Sequence, residues 1–401
     1  MFKFKEKINL DKVNTFICYL IPFLGLGGYF LSLVLTDSIY GTTGYYSIHY
    51  LYTYDHGFVA RGLVGEVISW FCKTVSVDTI KNTVIIFSFL LMISASLCIG
   101  RAMSKVKNDR ERLFIVFCLC FLVCILPGSF RYYYTDVKLD KLLWAITLFS
   151  MLLVDKKYGI WMVPVLCIVA TLVNPIFLFC SMILIAIVLL QKFYENNFSA
   201  KNGVICAVSY LSMIALGVYA LVSEKDLGFN TPRELVDYYY ARFEHVLSEK
   251  AYSRFENEWL FDYFDTMEVV IQKAFQIYFI QWGNWRVCIA DLIFLMIPTY
   301  FILGYFWKSC ITSSENKFQK FIFFLCMISP IVILPPILFS WESSKYFINN
   351  LFVNFSLMIY FVVNGNGSVL KTIERTKLLI KSNWIFFVCL ATYFTFLIIN
   401  R

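Results

Sequence analysis

An all-α, polytopic transmembrane bundle is the fold class the sequence predicts. Three observations predict it: an excess of apolar residues, apolar runs of membrane-spanning length, and cations confined to alternate connections between them. Of 401 residues, 59% are hydrophobic and 15% charged, with mean hydropathy +0.69. Soluble chains run near roughly 45–50% apolar and about 25% charged, so lipid is the expected solvent.

The runs lie near 13–35, 80–100, 113–129, 139–154, 159–173, 175–191, 203–223, 286–307, 320–340, 347–363 and 384–400. Measured against the roughly 20 residues that cross a bilayer, they make about eleven transmembrane helices. Asn174-Pro175 divides the fifth run from the sixth, because proline removes a helix hydrogen bond and clashes with the preceding turn. The connections between the runs are short, so one integral membrane domain over residues 1–401 is expected.

Orientation follows from lysine and arginine in the connections. One alternating set holds Lys3, Lys5, Lys7 and Lys12; Arg101, Lys105, Lys107, Arg110 and Arg112; Lys156 and Lys157; Lys192 and Lys201; Lys308, Lys317 and Lys320; Lys371, Arg375, Lys377 and Lys381. Positive charge is retained on the cytoplasmic side, which predicts an inside N-terminus and an outside C-terminus. The outer set is then 36–79, 130–138, the turn at Asn174, 224–285 and 341–346. The formal charge of +8 resides in these connections, so it serves topology rather than nucleic-acid binding. Most of the thirteen cysteines fall inside apolar runs without CxxC or metal-ligand spacing and read as buried thiols. The basic start precedes an apolar run too long for a signal-peptide core, so it is expected to stay as the first helix.

Two outer segments exceed connector length. Within 36–79, residues 58–75 place Val59, Leu63, Val67, Trp70 and Phe71 on one stripe, as expected of a helix lying in the interface plane. The segment 224–285 is polar and aromatic and is expected to cap the bundle. Within it, Thr231-Pro232-x-Glu234 supplies an N-cap followed by proline at the first helical position.

Charges near helix ends on one face mark candidate chemistry. The first cluster is Tyr54-Asp55-His56-Gly57-Phe58-Val59-Ala60-Arg61-Gly62, with Asp55 expected just before the in-plane helix; the plainer reading makes Asp55 an N-cap and Arg61 an interfacial anchor. The second holds Arg131, Asp136, Lys138, Asp140 and Lys141, two acids and three cations able to hold a divalent metal or an acidic phosphate, or merely to start a helix. The third is Glu342 and Lys345 between Trp341 and Tyr346. Weaker candidates are Asn174 at the helix break, Asp291 one turn after Arg286, and His56, which lacks a second close metal ligand.

An acid in the first outer loop, an in-plane helix and a second acidic outer loop together resemble the GT-C superfamily of integral-membrane glycosyltransferases, which take sugars from polyprenyl-phosphate carriers. The matching positions are Asp55 with Arg61, then Asp136, Lys138 and Asp140. The run Asp55-x-Gly57-Phe58-Val59-x-Arg61-Gly62-Leu63-x-Gly65 also resembles polytopic proteins of bacterial surface-polysaccharide loci, as does Glu342-x-x-Lys345. Architecture and the late outer loop are similar to O-antigen polymerases of lipopolysaccharide assembly. The resemblance implies a multi-pass protein of the bacterial inner membrane whose partners are undecaprenyl-linked saccharide donor and acceptor. It implies Asp55, Asp136 and Asp140 as catalytic, and Arg61, His56, Arg131, Lys138, Asn174, Glu342 and Lys345 as substrate-binding. A divalent metal is an open expectation. A flippase for lipid-linked oligosaccharide is the alternative; it would show charges deep in several helices and a two-fold repeat. A structural subunit of an export complex ranks third.

Overall fold

The structure is a computed structural model. It describes residues 10–35, 42, 45–56, 61–105, 137–222, 228–229, 231–244, 292–333 and 343–382, with isolated positions between 272 and 289. Among these residues the chain is all-helical. In order, the helices are α1 (Leu10–Leu35), α2 (Gly62–Ser69), α3 (Val77–Lys105), α4 (Asp140–Val154), α5 (Met162–Val173), α6 (Met182–Glu195), α7 (Ala200–Val222), α8 (Pro232–Tyr240), α9 (Ile297–Ser313), α10 (Lys317–Ile328), α11 (Ser343–Val363) and α12 (Gly367–Ser382).

Three segments are long and apolar enough to cross a membrane: Asn14–Ser32 of α1, Val77–Lys105 of α3 and Ala200–Tyr219 of α7. At about 1.5 Å per residue, α3 extends roughly 43 Å, well beyond a hydrocarbon core of about 30 Å. The outer faces of these helices carry large exposed apolar side chains, Phe16, Ile17, Leu24 and Leu31 on α1 and Val204, Val208, Leu211 and Val218 on α7. Such stripes are unfavourable against water and suited to lipid.

Local chemistry sets the helix ends. Ser76 Oγ accepts the Thr79 N–H at 3.1 Å ahead of α3, and Asn316 Oδ1 accepts from Phe318 and Gln319 ahead of α10, each satisfying donors that a helix start leaves open. Gly365, at φ +65°, stops α11, while the N–H groups of Gly365 and Asn366 return to the carbonyls of Val362 and Phe361. Asn366 then caps α12 through Oδ1, so a stop and a start in adjacent residues turn the chain by 116°. At the Asn174-Pro175 break, the Asn174 carbonyl accepts from Phe177 and Oδ1 from Ile176. One helical turn, Phe177–Cys180, then leads into α6.

The core lies where α3, α4, α6, α10 and α11 meet. Neutral polar groups tie it together: Trp144 Nε1–H donates to Asn349 Oδ1, Trp307 Nε1–H donates to Asn354 Oδ1 at 2.8 Å, and Asn354 donates back to Asn350 and Ser329. At one end of the bundle, Asp155 receives Arg101 of α3 and Lys192 of α6, each at 3.2 Å. Tyr194 stacks on Phe318 there, and α12 bonds across to α9 through Thr372–Ser309 and Arg375–Ser313. These contacts bring the cation-rich connections Arg101–Lys105, Lys192–Lys201, Lys308–Lys320 and Lys371–Arg375 to that same end.

Several sequence expectations shift. The runs at 113–129 and 384–400 lie outside the described residues. The run 286–307 becomes a π turn, Leu292–Met296, followed by α9. The in-plane helix ends at Ser69 instead of 75, because Val75 exchanges backbone hydrogen bonds with Arg242 and Glu244. Cys18, Cys98, Cys167, Cys180, Cys206 and Cys326 are buried thiols, as expected, and Cys310 is another.

Candidate functional site

The end opposite Asp155 is built on a short 3-10 segment, Tyr45–Tyr50. From Ser47 to Thr53 the chain is buried; it emerges at Tyr54, and Asp55 is exposed. Gly65 of α2 sits directly on the Tyr52 backbone, where a β-carbon would overlap the carbonyl oxygen. That close approach is why glycine is required there. Glu66 fixes the turn from the other side, accepting the Tyr54 N–H at 2.9 Å and the Trp70 indole N–H at 3.1 Å. Burial, then the nearby Glu66 carboxylate, pushes the Tyr54 phenol up to about 12, so it stays neutral over the physiological range.

Asp55 is held by groups near and far in sequence. Its Oδ2 accepts the Thr53 hydroxyl at 2.7 Å and the Tyr238 hydroxyl at 3.4 Å. Both bonds fall on one oxygen, Oδ2, and Asp55 itself is exposed. Tyr238 comes from α8, which Thr231 caps through its hydroxyl with Pro232 in the first turn, as the sequence predicts. Burial, then the Asp55 carboxylate, raises the Tyr238 phenol above its ordinary value. Tyr239 donates to the Thr53 carbonyl at 3.2 Å and meets the Tyr52 ring edge-on at 4.9 Å. Arg242 reaches the Leu51 carbonyl at 2.9 Å. A parallel bridge between Val75 and Phe243 closes the assembly.

His56 lies against Phe229 at 4.7 Å and Tyr238 at 4.5 Å between ring centroids, an aromatic seat in place of a metal shell. Arg61 occupies the left-handed region at φ +70° as the residue before α2. Its Nη1 lies 3.1 Å from His49 Nε2; because guanidinium only donates, that nitrogen is the acceptor and carries no proton. Asp55 was expected immediately ahead of the in-plane helix. The helix begins only at Gly62, with Arg61 as the residue before it, so Asp55 is not its N-cap.

The second cluster joins the first through Tyr50, whose hydroxyl donates to the Val137 carbonyl at 2.6 Å. Beyond Val137, Lys138, Asp140 and Lys141 are 7%, 3% and 1% exposed, and Asp140 opens α4. Burying three charges at a helix start is costly unless they are compensated, and each of the three has an interaction partner. Arg131 and Asp136 lie outside the described residues.

The third cluster is placed by the core. Trp144, one turn after Asp140, bonds to Asn349, one turn after Lys345, and stacks on Phe352 at 4.1 Å. The starts of α4 and α11 are therefore neighbours at this end. Lys345 lies in the first turn of α11; its side chain, Glu342 and Asp291 lie outside the described residues. Arg286 rests over the Trp285 ring. Asn174, buried, spends its carbonyl and amide oxygen on the turn that breaks α5 from Phe177–Cys180. Its carbonyl is thus engaged in the turn instead of lining a cavity.

Among the described residues, no group of three His, Cys, Asp or Glu side chains is spaced to hold a metal ion. Sequence reading missed Thr53, Tyr238, Tyr239, Arg242, Glu66 and His49. The capped helix carrying three successive tyrosines was the one visible sign that 224–285 contributes side chains. Compared with protein-family models, with curated proteins and with solved structures, the chain matches none of them.

Proposed function

We propose that this chain is an integral-membrane glycosyltransferase of bacterial surface-polysaccharide assembly. It takes a sugar or repeat unit from a polyprenyl-linked donor, as in lipid-linked sugar transfer or O-antigen and capsule polymerisation. The observation that carries the reading is the exposed Asp55 carboxylate, held on one oxygen by Thr53 and Tyr238, on a segment that Tyr50 ties to Val137, next in sequence to the buried Lys138, Asp140 and Lys141.

An acceptor hydroxyl attacks the anomeric carbon while its proton passes to Asp55 Oδ1, which positions a general base at hydrogen-bonding reach of the nucleophile. The bond from that carbon to the carrier phosphate oxygen breaks, and both electrons leave on the phosphate. Arg61, Lys138 and Lys345 offset that developing charge. Asp136 and Asp140 orient the acceptor, with Arg131, His56 and Glu342 lining the donor's path.

The topological reading goes with it: about eleven spans, with the Asp155 end cytoplasmic because the cation-rich connections gather there, and the Asp55 end outside. Among the described residues the buried polar groups inside α11 are the neutral Asn349, Asn350, Asn354 and Ser356, which supports transfer over a flippase with charges along its pathway.

Replacing Asp55 with Asn keeps size and a hydrogen-bond acceptor but removes the base. Polysaccharide formation is expected to fall by about 10²-fold or more, with membrane insertion unchanged. Product at wild-type level in that variant would remove Asp55 from the mechanism.

A further inference from the structure

At the Asp155 end, away from Asp55, a cavity of about 280 Å³ lies between α9 and α12, lined by Tyr305, Lys308, Ser309, Thr312, Arg375 and Thr376. Its polar complement is two cations and four hydroxyls, with no acid in the lining. Arg375 uses one N–H on Ser313 at 3.0 Å, which holds the guanidinium in place and leaves its other donors for a ligand. Thr372 to Ser309 at 3.5 Å fastens α12 to α9 one turn away. Glu374 and Thr376 flank Arg375 about 100° to either side on the helix, so the acid falls on the far side from the cavity. The carbonyls ending α9 favour cations, but their partial charge of roughly half an electron is outweighed by two full positive charges.

The approach to this cavity separates a lipid from a dissolved anion. Along α9, Ile297, Phe301, Tyr305, Lys308 and Thr312 follow one another at helical spacing, all exposed, the first three apolar or aromatic. Leu378, one turn beyond Arg375, is also exposed. A track of apolar side chains running into a basic, hydroxyl-lined recess has the amphipathic order of a phospholipid, acyl chain first and phosphate at the end. Basic recesses between membrane helices bind anionic headgroups in this way.

We propose that the recess between α9 and α12 binds the phosphate of an anionic glycerophospholipid, its acyl chain lying along Ile297, Phe301 and Tyr305. Lys308 and Arg375 neutralise the phosphate, and the Ser309 hydroxyl donates to one of its oxygens, while Thr312 and Thr376, whose hydroxyls donate to the Ser309 and Thr372 carbonyls, line the recess. The bend after α11 thereby rests on lipid. This site is independent of the transfer chemistry proposed for Asp55.

The test uses the full chain in detergent, titrated with dioleoyl-phosphatidylglycerol and followed by native mass spectrometry. Binding should weaken about fivefold for each cation removed, so roughly 25-fold in Lys308→Gln with Arg375→Gln. Lys317→Gln, an exposed cation outside the recess, should bind as wild type. The single Lys308→Gln variant keeps the Arg375–Ser313 bond and serves if the double variant unfolds. Millimolar inorganic phosphate should fail to displace the lipid; displacement would overturn the assignment to a lipid in favour of a soluble phosphate. Equal lipid binding by wild type and Lys308→Gln would overturn the site itself.

Discussion

A carboxylate with both hydrogen bonds on one oxygen is chemically lopsided, and Asp55 is in that state. Tyr238→Phe removes one of the two donors while leaving the base in place. Transfer should therefore drop by about tenfold, far less than in Asp55→Asn; an equal loss in both variants would make Tyr238 a structural requirement. Arg61 holds a left-handed backbone that costs a non-glycine residue about 1–2 kcal/mol. Arg61→Gly relieves that strain, so the melting temperature should hold or rise while transfer is lost. Should transfer persist, Arg61 is an anchor only. Tyr54 gives a titration with a definite sign. Its folded-state value is raised to about 12 from an ordinary 10.0, so the unfolded chain loses this proton first as pH rises. Its contribution to stability is complete below pH 10 and disappears between 10 and about 12. Thermal melts across that window should fall less steeply in Tyr54→Phe.

At the scale of elements, α2 is held less by its own length, eight residues, than by Gly65 against the Tyr52 backbone. Gly65→Ala forces the helix off its seat at a cost of about 1–3 kcal/mol. It should lower the melting temperature and, by moving Glu66, release the Tyr54 turn. A melt equal to wild type would show that α2 seats elsewhere. Much of the element pattern was legible beforehand, since α3, α4, α7 and α11 follow apolar runs whose ends carry charge or polar caps. The cap of α8 was legible too, because Thr231 and Pro232 act within one turn. Two features were not. The end of α2 at Ser69 depends on Val75 pairing with a strand of chain beyond residue 240, and local periodicity contains nothing of that. The grip on Asp55 comes from a tyrosine 183 positions away; a sequence displays the acid but not what closes over it.

For the whole molecule, the two ends differ in how charge is handled. Asp155 satisfies Arg101 and Lys192 together, linking α3, the end of α4 and α6 across the bundle. Asp155→Ala leaves Arg101 without its acid and Lys192 with only the longer contact to Glu195, at a cost of about 3–5 kcal/mol. It should markedly reduce the folded yield, whereas Glu195→Ala, which removes only an additional contact to Lys192, should be mild; equal effects would contradict the ranking. At the other end Lys138, Asp140 and Lys141 are buried around the start of α4.

The bridge between Val75 and Phe243 has a consequence for how such a protein diversifies. It pins the chain on either side of the acid-bearing turn, so whatever follows Glu244 departs from a fixed origin. If the proposed transfer holds, changes in length or composition downstream can then retune which saccharide is admitted without moving Asp55. Specificity and reactivity are thereby free to evolve on separate stretches of one polypeptide, and grafting a downstream segment from a differently selective protein onto this frame is the natural way to exploit it.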